Sequence, residues 1–231
     1  FSSYLKENPF QDRKELINPV EVSVSENNYC YITEASEQIV VTDIQNVFQY
    51  IILGNDAETT FEYAESSCMD AEGNVYVHDK VYKEDGVGIL SERVLKFNSH
   101  GQRTEILFET NNEKNVTNIS DLKVVNGKLC FITYDDEEIS LYVQEGNIIE
   151  KVYTIPYSTK QESVTDVACY LNKDTIYVAV ASKNGNVSVY NNHNEEVYTY
   201  TASHYDTGDF FSIITDAAYS QDGDLYLCDT G

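Results

Sequence analysis

The chain has 231 residues, with 39 Asp and Glu against 15 Lys and Arg, giving a formal net charge of -24 at pH 7. A chain this acidic argues against nucleic acid and anionic lipid as partners, since both are bound by neutralising phosphates with Lys and Arg. Nineteen Tyr and nine Phe with no Trp, among many Val and Ile, favour strands over helices or disorder, and no run approaches the roughly 18 apolar residues of a membrane-spanning helix.

Residues 1–19 open on Phe, carry no charged-then-apolar signal segment, and read as an N-terminal segment able to supply closing strands to a mature or excised domain. From residue 20 onward one pattern recurs five times: an apolar strand, a tight polar turn and a second apolar strand. The copies are VEVSVSENNYCYI (20–32), SSCMDAEGNVYVHD (66–79), ISDLKVVNGKLCFITYD (119–135), VTDVACYLNKDTIYVAV (164–180) and ITDAAYSQDGDLYLCD (214–229). Alignment on the aromatic of the second strand brings Tyr31, Tyr76, Phe131, Tyr177 and Tyr226 into register. Between the copies lie further alternating pairs of strands, QIVVTDIQNVFQYII (38–52), RVLKFNSHGQRTEILF (93–108), ISLYVQEGNIIEKVYTI (139–155) and NVSVYNNHNEEVYTY (186–200).

Four strands recurring at intervals of 45 to 55 residues are the footprint of a β-propeller blade. The expected fold is therefore all-β, a propeller of four-stranded antiparallel blades over about 20–54, 65–110, 118–156 and 163–201, with an incomplete blade at 212–231, in a five- or six-bladed ring. A β-sandwich would not need five aligned aromatics at this period, and solenoid repeats are shorter. The aromatics are expected to be buried between blades. The five cysteines, odd in number and without a CxxC pair, read as buried thiols, not disulfides or metal ligands.

DAEGNVYVHD (70–79), SQDGDLYLCDTG (220–231) and RVLKFNSHGQ (93–102) resemble the repeat of NHL-type and related six-bladed propellers. The texture of the chain is also similar to the extracytoplasmic sensor propellers of bacterial signalling proteins. That resemblance implies an extracytoplasmic domain, tethered to a membrane only through segments outside this chain. The wider family includes lactonases and lyases with metal ligands or a His in the central channel, but His78, His100, His193 and His204 share no repeat position, so those roles do not carry over. Three repeats depart from the pattern: the third turns at Asn126-Gly127, the fourth has Asn172-Lys173-Asp174 without Gly, and the first has neither.

Alternating strand directions put the first-to-second and third-to-fourth connections on one face, where all are short. The other face receives the long, varied connections 54–65, 80–92, 109–118, 157–163 and 202–211, where function on a rigid scaffold concentrates. The insertion at 80–92 reads either as a contact loop or as a tolerated surface insertion. On the same face Asp121, Asp166 and Asp216 precede their aligned aromatics by 10, 11 and 10 residues, with Ser66 and Glu21 at the matching places. Three readings stand open: latches that accept backbone N–H groups and lock neighbouring blades, ligands for Ca²⁺ or a cationic group at the channel mouth, or a general acid and base. Tyr82, Arg93, His204 and Tyr205 complete the candidate ligand contacts. No catalytic residue is assigned, because the zinc-protease, nucleophile-elbow, P-loop, dinucleotide and EF-hand motifs are all missing. No cofactor is expected beyond that Ca²⁺. The function expected is a non-catalytic ligand-binding or sensory propeller that takes a small molecule or protein on its loop-rich face. The alternatives are a protein-interaction scaffold and a metal-dependent lactonase- or lyase-like enzyme.

Overall fold

The structure, a computed structural model, describes residues 16, 18–25, 28–35, 38–45, 47–54, 56, 58–84, 86–111, 117–135, 137–145, 148–156, 164–172, 175–201, 213–220 and 222–230. They form eighteen strands and no helix. Strands β1 (Glu21–Val24), β2 (Tyr29–Glu34), β3 (Gln38–Asp43) and β4 (Phe48–Leu53) make the first sheet. The second holds β5 (Ala64–Met69), β6 (Val75–Tyr82), β7 (Ile89–Phe97) and β8 (Arg103–Glu109). The third holds β9 (Asn118–Val125), β10 (Lys128–Tyr134), β11 (Glu138–Glu145) and β12 (Ile148–Pro156), and the fourth β13 (Val164–Asn172), β14 (Thr175–Ser182), β15 (Val187–Asn191) and β16 (Glu196–Tyr200). The fifth has two strands, β17 (Ile214–Tyr219) and β18 (Leu225–Asp229). In every sheet the strands lie side by side in chain order.

Turn chemistry explains the hairpins. At Asp70, Asn98 and Asn191 the side-chain oxygen accepts N–H bonds from residues two and four further on, at 2.8–3.1 Å, and a residue with positive φ follows at the fourth turn position. Gly73 and Gly101 fill that position in the first two, while Asn194 does so in the third, Asn being the side chain that best tolerates the left-handed region. The first repeat, which has no Gly, turns the same way: Asn28 takes φ 62° and Ser25 Oγ accepts the Tyr29 N–H at 3.1 Å. Asn126 and Gly127 both have positive φ, as a two-residue hairpin loop requires.

The chain divides into two compact units, one of Phe1–Thr117 with Leu122–Leu129 and Gly146–Ile149, the other of Asn118–Asp121, Cys130–Glu145 and Glu150–Gly231. In the first unit Tyr31, Ile39, Val41 and Ile52 pack with Phe61, Met69, Val75, Val77, Leu95 and Phe97. In the second, Ala168, Ala179, Ala181, Val187 and Val189 pack with Ile214 and Ala217. Both sets follow the two-residue alternation of strands.

The aligned aromatics divide. Tyr31, Tyr76 and Phe131 are buried, Tyr177 is half-buried and Tyr226 is 62% exposed. Tyr226 lies on β18, which has β17 on one side and no strand on the other among the described residues. The fourth repeat is also out of register. Glu21 pairs with Thr33, Ser66 with His78 and Asp216 with Cys228, each two residues beyond the aromatic, whereas Asp166 pairs with Ala181, so Ala179 holds the place expected for Tyr177. The β13–β14 hairpin is longer than the β5–β6 hairpin, and a slip of two leaves Tyr177 on the same face, stacked on Tyr170 at 6.4 Å.

Candidate functional site

The strand entries are built alike. A β-bulge precedes Ser66, Asp166 and Asp216, the extra residues being Glu65, Thr165 and Thr215, and Asp121 itself has φ 50°. Bulges of this kind re-aim a side chain out of the regular pleat. At the entries of β1, β9 and β13 a carboxylate reaches the next sheet. Glu21 Oε2 accepts the Ser67 N–H at 2.8 Å, Asp121 Oδ2 the Cys169 N–H at 2.7 Å and Asp166 Oδ2 the Ala217 N–H at 2.8 Å. This is the geometry of a latch.

Asp166 carries more than one such bond. Ser120 Oγ donates to its Oδ1 at 2.7 Å. Burial first, and the neighbouring Asp216 carboxyl after it, push the Asp166 carboxyl up to about 7, against the donors Ser120 and Ala217 that favour its ionised form. Asp216 itself is exposed. Among the described residues no group of three or more His, Cys, Asp or Glu is placed to hold a metal ion.

A second set of acids, at the end of the second strand, was missed by sequence reasoning. Asp79 Oδ1 accepts the N–H groups of Glu62 and Tyr63, both at 2.8 Å, while Asp229 Oδ1 takes that of Ile213 at 3.2 Å and Glu34 Oε1 that of Asn18 at 3.4 Å. Each ties down the segment entering its own sheet. The signal was available: Glu34, Asp79 and Asp229 all stand three residues after an aligned aromatic. Asp79 also holds Arg93, whose Nε donates to Oδ2 at 3.0 Å and whose terminal nitrogen reaches the same oxygen. Next to them His78 Nε2 lies 2.8 Å from Glu92 Oε2, all four side chains being buried. Arg93, a candidate ligand contact, is thus turned inward to an ion pair.

Tyr82 is half-buried with its ring edge-on to Tyr63 at 5.7 Å, and its N–H donates to Glu62 Oε1 at 3.2 Å beside a Lys80–Glu65 ion pair. The insertion around it is mostly an extension of the β6–β7 hairpin, closed where the Lys83 N–H meets the Gly88 carbonyl at 2.8 Å. The connection from β4 to β5 is folded inward. Asp56 caps it by accepting from Glu58 and Thr59, bonds that hold its carboxyl below the usual range, and Phe61 is fully buried against Phe97. His204 and Tyr205, with the connections 157–163 and 202–211, lie outside the described residues.

No protein-family model matches the sequence, and no curated protein does. Solved structures do. The WD40 domain of SCAP from fission yeast is similar at a TM-score of 0.51 and 12% identity, over 92% of this chain and 51% of that one. The β-propeller domain of Cps50 (Swd1) from Myceliophteria thermophila is similar at 0.55 and 10% identity, over 92% of this chain and 64% of that one. The fold is a β-propeller. Its blades are the antiparallel sheets, four of them four-stranded, and the chain spans about half to two thirds of the length of those two chains. The propeller carries its latching acids on first and second strands of its blades: Glu21, Asp121 and Asp166, in the first, third and fourth, link neighbours, and Glu34, Asp79 and Asp229, in the first, second and fifth, hold the entering segment.

Proposed function

We propose that this propeller is a non-catalytic binding module that takes a protein segment at the end of the strands where the long connections gather. The observation that carries the reading is the commitment of its acids. Glu21, Asp121 and Asp166 are engaged by backbone N–H groups, and Asp79 with Arg93 and His78 with Glu92 are buried pairs, so the groups that acid–base chemistry would draw on hold the fold together. Where the second sheet meets its long connections stand aromatic and charged side chains, Tyr63, Tyr82, Lys80 and Glu65, of the kind that anchors protein ligands. The likeness to WD40-type propellers supports a protein as the ligand. A six-bladed NHL-like ring serving as a membrane-tethered extracytoplasmic sensor is the finer form of this reading, supported by the DAEGNVYVHD and SQDGDLYLCD hairpins.

The test is a peptide-display selection against the chain, with binders mapped by substitution. Tyr82→Ala is expected to weaken selected binders about tenfold or more, as loss of an aromatic anchor does. His100→Ala, in the short β7–β8 turn, should leave them unchanged. Binders insensitive to Tyr82 and to every other long-connection residue would defeat the proposal.

A further inference from the structure

We propose that Asn126 is a self-modification site, whose side-chain amide is lost to attack by the Gly127 backbone nitrogen, and that the fold holds the chain's other Asn-Gly pair, Asn184-Gly185, out of the same reaction. The step is intramolecular. The Gly127 nitrogen gives its proton to solvent base and bonds to Asn126 Cγ, the Cγ–Nδ2 bond breaks, and Nδ2 takes up a proton and leaves as ammonia. The cyclic imide that results takes up one water. Opening of its bond from nitrogen to Cγ gives Asp, and opening of its bond to the main-chain carbonyl gives isoaspartate, in which the main chain runs through Cβ and Cγ. Glycine suits the attacking position because no Cβ crowds its nitrogen.

The two pairs share a sequence and differ in what the structure does with their reacting groups. Asn126 and Gly127 are exposed in the turn between β9 and β10, and among the described residues no hydrogen bond engages the Gly127 N–H or the Asn126 side chain. The space is open as well, since a Cβ placed on Gly127 would meet nothing within 4 Å. In the turn between β14 and β15, Gly185 is buried and its N–H donates to the Ser182 carbonyl at 3.0 Å, while Asn184 Oδ1 accepts the Asn186 N–H at 3.2 Å. There the attacking nitrogen and the amide under attack are each tied down, and both bonds must break before the ring can close.

The product changes the β9–β10 turn. Asn126 has φ 52° and Gly127 φ 74°, the pair of left-handed residues on which a two-residue loop depends. Isoaspartate lengthens the main chain at the first of them, so Val125 and Lys128, the ends of β9 and β10, lose the spacing that the loop sets. Either product also adds a carboxylate to a chain already at -24.

The experiment is a timed incubation of the 231-residue chain in mildly alkaline buffer, native and in urea, with conversion at each Asn followed by peptide mapping and mass spectrometry and isoaspartate read by enzymatic methylation. Dividing each native rate by the rate of the same site in urea removes the effect of local sequence. The ratio for Asn126 should exceed that for Asn184 about tenfold or more, because only Asn184-Gly185 must first break hydrogen bonds to its reacting groups. Equal ratios, a higher ratio at Asn184, or an Asn126 that stays intact in the native chain after the unfolded chain has converted would overturn the proposal.

Discussion

Tyr76 and Tyr226 occupy the same place in their hairpins and stand in opposite environments. Tyr76 is 3% exposed and donates its hydroxyl to Asp70 Oδ2 at 2.9 Å, while Tyr226 is 62% exposed. Tyr76→Ala should therefore cost about 3–5 kcal/mol, as aromatic truncation in a core does, and Tyr226→Ala less than about 1 kcal/mol. Urea unfolding of the two variants checks this, and equal losses would show that burial does not govern the position. The cysteines give a second contrast. No disulfide joins them, Cys68, Cys130 and Cys169 are buried, and Cys228 is exposed. A thiol reagent under native conditions should modify Cys228 first, with Cys30 next and the buried three only as the fold opens. Mass spectrometry after timed quenching reads that order, and early modification of Cys130 would contradict the burial.

At the scale of an element, the second blade shows what the sequence leaves visible and what it hides. The turn residues of DAEGNVYVHD were legible because each acts locally: Asp70 accepts from Glu72 and Asn74 within its own turn, and Gly73 takes φ 86°. The Asp79–Arg93 pair was not, because it depends on the exact length of the extended β6–β7 hairpin that sets those two residues opposite each other. The same ignorance of hairpin length put Tyr177 two residues out of register, and a loop drawn as a ligand contact, 54–65, turned out to bury Phe61. Of the acids in the channel-mouth set, Asp121 and Asp166 could be placed by spacing alone, but a bulge cannot be read from spacing, and their backbone partners lie about a whole repeat away. Two consequences can be measured. Arg93→Met leaves the Asp79 carboxylate buried with only its backbone donors, and should cost about 3–5 kcal/mol, part of which Asp79→Asn in the same chain recovers. Gly54→Ala should cost about 1–3 kcal/mol, because a Cβ there would lie 2.3 Å from the Phe61 ring and push it out of the core. Both read out in chemical denaturation, and a Gly54→Ala chain as stable as the parent would mean that Phe61 has room to move.

Across the whole molecule the dominant quantity is charge, -24 on 231 residues. Self-repulsion at that density opposes the compact state, and it is screened over a Debye length of about 10 Å at 0.1 M salt. The described acids fall into two populations that should answer salt differently. Glu21, Asp79 and Asp121 are held by short bonds from backbone N–H groups, Asp79 with its buried Arg93 partner as well, whereas surface acids such as Glu72, Glu105 and Glu195 are exposed and feel the bulk ionic strength. A rise in melting temperature from about 10 mM to 0.5 M NaCl is therefore expected, and CaCl₂ at matched ionic strength should give the same rise if Ca²⁺ acts as part of the ionic atmosphere. A resident Ca²⁺ at the strand entries would behave otherwise. It would raise the melting temperature at concentrations far below those that screen, with saturation, because a ligand bound only by the folded state stabilises it through RT ln(1 + [L]/Kd). Differential scanning fluorimetry across both titrations separates the two. A saturating response to micromolar Ca²⁺ that disappears in Asp121→Asn would turn the latch at that blade into a metal site, and coincident curves would leave the acids to the backbone donors that they already hold.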